Sequence, residues 1–284
     1  MCRFALYLGP SITVSSLVVE PDHSIINQSF RSKERHEPLN GDGFGVGWYT
    51  PELTAEPALF KDVSPAWNNE NLRQLARVTR SECILVHIRA ASPGLPVNFF
   101  NCHPFAWRQF AFMHNGDVAG FKKLRRAVGQ SYSDEIYSMV RGTTDSEYLF
   151  GLFAERLRED SRKIDVQIMA DALTGAIDDM MAHVNAVGSE HATYLNLAVT
   201  DGKRAVVCRY VDNPELTAHS LYYSRGDHYR CVDGVCDMDA AEQGGAVLVA
   251  SEPLSSSGDW QKIPAGHLLM IDESRNTAVS PLEI

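Results

Sequence analysis

Cys2, Arg89, Asn115-Gly116 and Asp145 are the residues of this chain whose types could do chemistry together. Cys2 follows the initiator Met, and a small residue there favours Met removal. Cys2 would then carry a thiol and a free α-amine side by side. An α-amine titrates near about 8, so around neutrality much of it can take the thiol proton without a separate histidine. A cysteine nucleophile needs donors for a developing oxyanion, and an Asn amide with a Gly backbone N–H can supply them. Arg binds a carboxylate bidentately, and Asp pairs with an ammonium group. Arg89 and Asp145 therefore suit the two charges of a glutamyl head. Each residue also has a plainer alternative: a buried strand cysteine, a surface ion pair, a turn, and a partner for a helix dipole.

All four stand at the ends of expected elements. Residues 2–8 read as a strand that Gly9-Pro10 ends. Residues 82–89 read as a buried strand finishing at Arg89, and 110–114 as a strand stopping at Asn115-Gly116-Asp117. Asn-Gly is a hairpin signal, but the helix-like segment from Phe121 to Val128 fits a plain hairpin poorly. Thr144-Asp145-Ser146-Glu147 reads as a capping box. It opens a helix with Tyr148, Leu149, Leu152, Phe153 and Leu157 on one apolar face. A second long helix spans 166–187, turning Ile168, Leu173, Ile177, Met180, Met181 and Val184 inward, and a shorter one spans 67–80.

Strands are expected at 192–199, 205–210, 220–224, 246–251, 267–271 and near 277–280. Residues 22–42 read as polar and irregular, 101–105 as a turn, and 226–245 as an exposed loop. Gly41, Gly43, Gly45 and Gly47 predict a strand with one bare face, close to another backbone. The Cys2 strand is the expected neighbour. A phosphate loop is disfavoured, since the Lys-Ser/Thr ending and the following helix are missing. Strands, two helices and more strands, with no linker or repeat, suggest one layered α+β domain over residues 1–284.

The 284 residues are 44% hydrophobic and 22% charged, an ordinary globular composition that allows a sizeable core. The net charge of −10 argues against nucleic acid and anionic membrane as partners. No apolar run approaches the roughly 18 residues of a membrane span, and no basic-then-apolar presequence displaces Cys2 from the mature terminus. Cys231 and Cys236 have no His-rich cluster nearby, so a zinc site is not expected. Reduced cytoplasmic thiols are favoured over a loop disulfide there. No cofactor is expected. His87 and His114 read as core residues and His103 as a turn residue, while Asn40 and Asp42 are candidates to line the site.

Five motifs occur in the order found in the class II (N-terminal-nucleophile) glutamine amidotransferases, and the chain resembles that family. They are Cys2-Arg3-Phe4, His87-Ile88-Arg89-Ala90-Ala91-Ser92, Asn101-Cys102-His103-Pro104-Phe105, His114-Asn115-Gly116-Asp117 and Thr143-Thr144-Asp145-Ser146-Glu147. The resemblance implies a four-layer αββα sandwich of the N-terminal-nucleophile hydrolase type. It implies Cys2 as nucleophile with its own α-amine as base, and Asn115 with Gly116 as the oxyanion hole. It also implies Arg89 and Asp145 as the clamp on the glutamyl head. Ser92 falls where the family usually has Thr near the substrate carboxylate, and Pro93 stands where many members have His.

Further motifs lie at residues 23–30, 40–46, 65–69 and 250–254. They are similar to a stand-alone branch that includes the amidotransferase-like subunit of the yeast glutathione-degrading complex, its bacterial relatives and the amidohydrolase of ergothioneine synthesis. That branch implies hydrolysis of a γ-glutamyl amide, such as glutamine or glutathione, through a thioester on Cys2. It also implies a metallopeptidase-like partner subunit. Two alternatives stay open. One is an acylase of the choloylglycine or penicillin type, against which the charged pair Arg89 and Asp145 argues; the other is a catalytically silent subunit.

Overall fold

Alternation along the strands sorts the apolar side chains into separate cores. In Arg3–Thr13 (β1), Phe4, Leu6 and Leu8 face one side while Ala5 and Tyr7 face the other. The computed structural model describes residues 2–34, 39–91, 96–160, 162–239, 245–256 and 260–284. After β1 come β2 (Phe44–Trp48), β3 (Ala58–Asp62), β4 (Arg80–Ile88), β5 (Phe105–Trp107) and β6 (Phe110–Asp117). The later strands are β7 (Tyr194–Thr200), β8 (Ala205–Val211), β9 (Tyr222–Gly226), β10 (Tyr229–Val232) and β11 (Val235–Met238). They end with β12 (Ala246–Ala250), β13 (Gln261–Lys262), β14 (His267–Ile271) and β15 (Thr277–Pro281). The helices are α1 (Ser15–Val18), α2 (Ile25–Gln28), α3 (Glu70–Val78), α4 (Phe121–Gln130), α5 (Asp134–Met139), α6 (Asp145–Arg158) and α7 (Val166–Val187).

Among the described residues the strands form two large antiparallel sheets and the separate pair β10-β11. One large sheet runs β13-β9-β12-β1-β4-β2-β3 and the other β15-β14-β8-β7-β6-β5. Phe4, Leu6 and Leu8 of β1 and Val247 and Val249 of β12 pack between the sheets, against Ala111 and Met113 of β6 and Val207 of β8. The outer face of the second sheet is covered by α4, α6 and α7, through residues such as Leu124, Leu149, Phe153, Leu173 and Ile177. The outer face of the first is covered by Leu17, Ile25 and Leu72 of α1, α2 and α3. The layer order is thus αββα, as expected, and the long helix has the expected bounds, with all six predicted inward residues buried.

Five expectations are corrected. The bare face of β2 does not meet β1: β4 lies between them. A Cβ on Gly45 would strike the carbonyl of His103, so the close neighbour is the His103-Pro104 turn. Residues 229–238 form the hairpin β10–β11 rather than a loop, and Cys231 and Cys236 pair across it as a disulfide rather than as free thiols. Asn115 and Gly116 do not end their strand; β6 continues through Asp117, paired with β7. Residues 22–42 contain a short helix, α2, capped by the Ser24 hydroxyl.

Candidate active site

Cys2 lies one residue ahead of the Arg3–Ile88 pair, which sets it beside the chain leaving β4. Its Sγ accepts the Ala90 N–H at 3.4 Å and lies 3.5 Å from the Ala90 carbonyl. Burial pushes the thiol pKa up, opposed by the Ala90 amide and the charges of Arg89 and Arg3. A thiol that rests protonated can release its proton to an adjacent base as it attacks.

Arg89 leaves β4 alongside the glycine segment. Its N–H donates to the Gly43 carbonyl at 2.8 Å, and its carbonyl accepts the Asp42 N–H at 3.1 Å. The guanidinium is 3% exposed and donates to the carbonyls of Asp42 and Pro96, both at 3.3 Å. These neutral acceptors leave its positive charge available to a substrate carboxylate. Asp42 props the same turn by accepting the Ala91 N–H at 2.9 Å. Asn40 is buried nearby, its N–H bonded to the Ser29 carbonyl.

Asn115 and Gly116 sit in β6 opposite Asn196 and Leu195 of β7. Asn115 is buried, and its Oδ1 has no hydrogen-bond partner among the described residues. A Cβ on Gly116 would fall 2.5 Å from His114 Nε2 and closer still to the Tyr194 carbonyl oxygen, so only glycine fits the strand there.

Asp145 is the first residue of α6, behind the Thr144 hydroxyl that caps the helix. Its Oδ2 accepts the Val118 N–H at 2.8 Å, and its Oδ1 accepts the Ser146 N–H at 2.8 Å and hydroxyl at 3.2 Å. The helix N-terminus favours the negative charge. The capping box is only half formed. The Glu147 carboxylate passes Thr144 and accepts the N–H groups of Arg141 at 3.0 Å and Gly142 at 2.6 Å, while burial raises its pKa.

Side chains outside the expected catalytic set tie these pieces together. Asn101 donates to the Pro96 carbonyl and the Thr143 hydroxyl, both at 3.1 Å, and accepts the Thr143 N–H at 2.8 Å. The Pro96 carbonyl also receives Arg89, so Asn101 joins the arginine's loop to the turn before Asp145. His87 Nε2 donates to the His114 carbonyl at 3.0 Å and so bridges β4 to β6. His103 stacks on His87 with ring centroids 4.1 Å apart. His114 Nδ1 lies 2.9 Å from the Ser146 hydroxyl, and its Nε2 3.2 Å from the Tyr194 carbonyl. Burial lowers the pKa of all three imidazoles, that of His87 to about 3.

Cys2, Arg89, Asn115, Gly116 and Asp145 therefore stand at one end of the two facing sheets, linked through Ala90, Pro96, Asn101, His87 and Val118. Ser92 lies outside the described residues. Among the described residues no group of three or more His, Cys, Asp or Glu could hold a metal ion.

The family model for class-II glutamine amidotransferases matches residues 15–283. The probable glutamine amidotransferase DUG3 of Saccharomyces cerevisiae is 37% identical over 292 residues, covering 95% of this chain and 82% of the yeast protein. The gamma-glutamyl-hercynylcysteine sulfoxide hydrolase of Mycobacterium tuberculosis is 26% identical, over 96% of this chain and 94% of its own. Among solved structures, a glutamine aminotransferase class-II domain protein from Silicibacter pomeroyi matches with a TM-score of 0.70 at 29% identity, over 100% of both chains.

Proposed function

Because this chain belongs to the class II glutamine amidotransferases, we propose that it hydrolyses a γ-glutamyl amide bond through a thioester on Cys2. The observation that carries this reading is the meeting of Cys2, a buried Arg89 with only neutral acceptors among the described residues, Asn115-Gly116 and Asp145 at one end of the sandwich. The family match begins downstream of Cys2, so the seat of that residue against Ala90 is independent support for its role.

In the proposed mechanism Met1 is removed, and the α-amine of Cys2 takes the thiol proton as sulfur attacks the side-chain carbonyl of the glutamyl group. The oxyanion is met by the Asn115 amide and the Gly116 N–H. The α-ammonium returns the proton to the leaving nitrogen, which departs as an amine and leaves the γ-glutamyl thioester. Water, deprotonated by the same amine, then releases glutamate. Arg89 holds the α-carboxylate, a role the family resemblance extends to Ser92, and Asp145 holds the α-ammonium group. The two charged residues disfavour an acylase with an apolar pocket.

We further propose that residues 1–284 work as one domain and that the chain hydrolyses without passing nitrogen to an acceptor. The leaving group proposed is larger than ammonia. The mycobacterial relative is named for a γ-glutamyl compound of a cysteine derivative, and the branch resemblance points to glutathione, with a metallopeptidase-like partner subunit completing the site.

The test has two arms. A glutamine-like diazo ketone should label Cys2, read by peptide mass spectrometry. Product analysis with glutamine, glutathione and γ-glutamyl anilide, each with and without an added amine, should give glutamate. Failure to label Cys2, or stoichiometric transfer of glutamine nitrogen to an acceptor by this chain alone, would overturn the proposal.

A further inference from the structure

The motifs at residues 23–30 and 250–254 take no part in the chemistry above, yet both converge on the residue after the nucleophile. Arg3 is 3% exposed. Its Nη1 donates to the carbonyl of Cys2 at 2.9 Å, its Nη2 to the Ser32 hydroxyl at 2.7 Å, and its Nε to Glu252 Oε1 at 3.0 Å. Glu252 is 1% exposed and gathers three further donors. The Ser32 hydroxyl donates to Oε1 at 2.5 Å, while His23 Nε2 at 3.0 Å and the Lys33 N–H at 2.9 Å reach Oε2. Burial would raise the pKa of this carboxylate, but the bonds from His23, Ser32 and Lys33 and the charge of Arg3 hold it at about 2. The preceding residue, Ser251, donates its N–H to the Phe4 carbonyl and accepts the Phe4 N–H on its hydroxyl, both at 3.0 Å. Gln28 closes the ring with bonds at 3.1 Å to the carbonyls of His23 and Glu252.

A buried ion pair gains little stability over apolar packing, because the cost of desolvation offsets its attraction. What this one supplies is direction. The guanidinium fork is planar, and two of its edges are fixed by Glu252 and Ser32. Its Nη1 fixes the carbonyl of Cys2, and with it the peptide plane from which the Cα of that residue is placed; the bond from the Ala90 N–H to Sγ then sets rotation about the Cα–C bond. The thiol and the α-nitrogen share that Cα. Once Met1 is gone, no preceding peptide holds them.

Resting on the functional reading above, we propose that Arg3, braced by Glu252, is a positioning residue that orients the thiol and α-amine of Cys2. The test uses the full chain and the variants Arg3→Lys, Glu252→Gln and Ser32→Ala. It reads kcat and KM for γ-glutamyl anilide, the rate of Cys2 alkylation by iodoacetamide, and the melting temperature. A misplacement of about 1 Å at a reacting group can cost about 100-fold. For Arg3→Lys and Glu252→Gln, kcat should therefore fall about 10- to 100-fold with KM within about threefold, and Cys2 alkylation should slow in step. Ser32→Ala, which removes one bridging hydroxyl, should lose about three- to tenfold in kcat.

Folded Arg3→Lys and Glu252→Gln proteins with wild-type kcat and alkylation rates would overturn the proposal, as would a rise in KM alone. If those two variants do not fold, Ser32→Ala decides, and an unchanged kcat there overturns it. Wild-type protein that cleaves no γ-glutamyl compound would defeat the functional reading instead. The alkylation rates of the variants would still report how Cys2 is held, with equal rates overturning the positioning role.

Discussion

Gly116→Ala tests whether the N–H at this position is the oxyanion donor. The added Cβ would lie 2.5 Å from His114 Nε2 and closer than that to the Tyr194 carbonyl oxygen, whereas real Cβ atoms keep at least 3.0 Å. The His114 ring is 1% exposed and engaged at both nitrogens, so it has nowhere to retreat. The Tyr194 carbonyl belongs to the backbone of β7. Strand β6 must therefore move, by 3.0 − 2.5 = 0.5 Å against His114 and by more against Tyr194. A shift approaching 1 Å at a reacting group costs on the order of 10²-fold in rate. Losing one oxyanion donor outright costs about 10²- to 10³-fold in kcat. The expected outcome is a fall in kcat of about 10²-fold or more, with a loss of about 1–3 kcal/mol in stability from overpacking.

Initial rates at saturating γ-glutamyl anilide, with a urea melt alongside, measure both. Gly47→Ala is the control, because the nearest atoms to its Cβ are side-chain atoms of Leu59 at 3.2 Å, Pro104 at 3.3 Å and Leu85 at 3.5 Å, none closer than 3.0 Å. A folded Gly116→Ala protein with kcat within about threefold of wild type would refute the assignment.

Arg89→Ala and Asp145→Ala should each raise KM for γ-glutamyl substrates, by the roughly 2–5 kcal/mol lost when one charge of a buried pair is left alone. Asn115→Ala should mainly lower kcat, about 10²- to 10³-fold; equal effects of all three on KM alone would contradict the roles. Intact mass of an active preparation should show a chain starting at Cys2, because a retained Met1 makes the base an amide nitrogen; full activity with Met1 in place would sink that point. His87 is neutral in the fold with its pKa lowered to about 3 by burial, while an unfolded histidine titrates near about 6.5. Between those values only the unfolded state takes the proton, so stability falls with falling pH by up to about 1.4 kcal/mol per pH unit from this residue. Urea midpoints at pH 7 and pH 5 should differ more for wild type than for His87→Gln; equal differences would refute the assignment.

What could be read in the sequence was whatever repeats locally. Helix α7 shows its period over 22 residues, and β14 is five apolar-rich residues between turns. Strand β3 escaped notice because all five of its residues are half-buried, which leaves no alternation to detect. Asn115-Gly116 looked like a strand end because its local chemistry favours a turn, but the ladder with β7 outweighs that preference. The chemical groups of the site were legible as residue types. Their supports were not: Glu252 meets Arg3 across 249 positions and Asn101 meets Thr143 across 42, distances over which no local pattern carries information.

The placement of the site follows from strand direction. β1 lies between β12 and β4, antiparallel to both, so the start of β1 is flanked by the ends of its two neighbours. The chain leaving β4 carries Arg89 and Ala90 to one side of Cys2. The chain leaving β12 carries Ser251 and Glu252 to the other. Across the sandwich, β6 brings Asn115 and Gly116, just before its end at Asp117, to the same side, and the bond from His87 to the His114 carbonyl ties them to β4. Helix α6 begins there as well, with its N-terminus and Asp145 held by the Val118 N–H just beyond β6. Under the proposed function, a first-strand nucleophile in the middle of an antiparallel sheet thus receives a binding side from one neighbour and a bracing side from the other. The bracing side meets the chain through the side chain of Arg3, which holds the Cys2 carbonyl, and through the backbone of Phe4. It holds Cys2 from the side opposite Arg89 and Ala90, which under the proposed function face the glutamyl head.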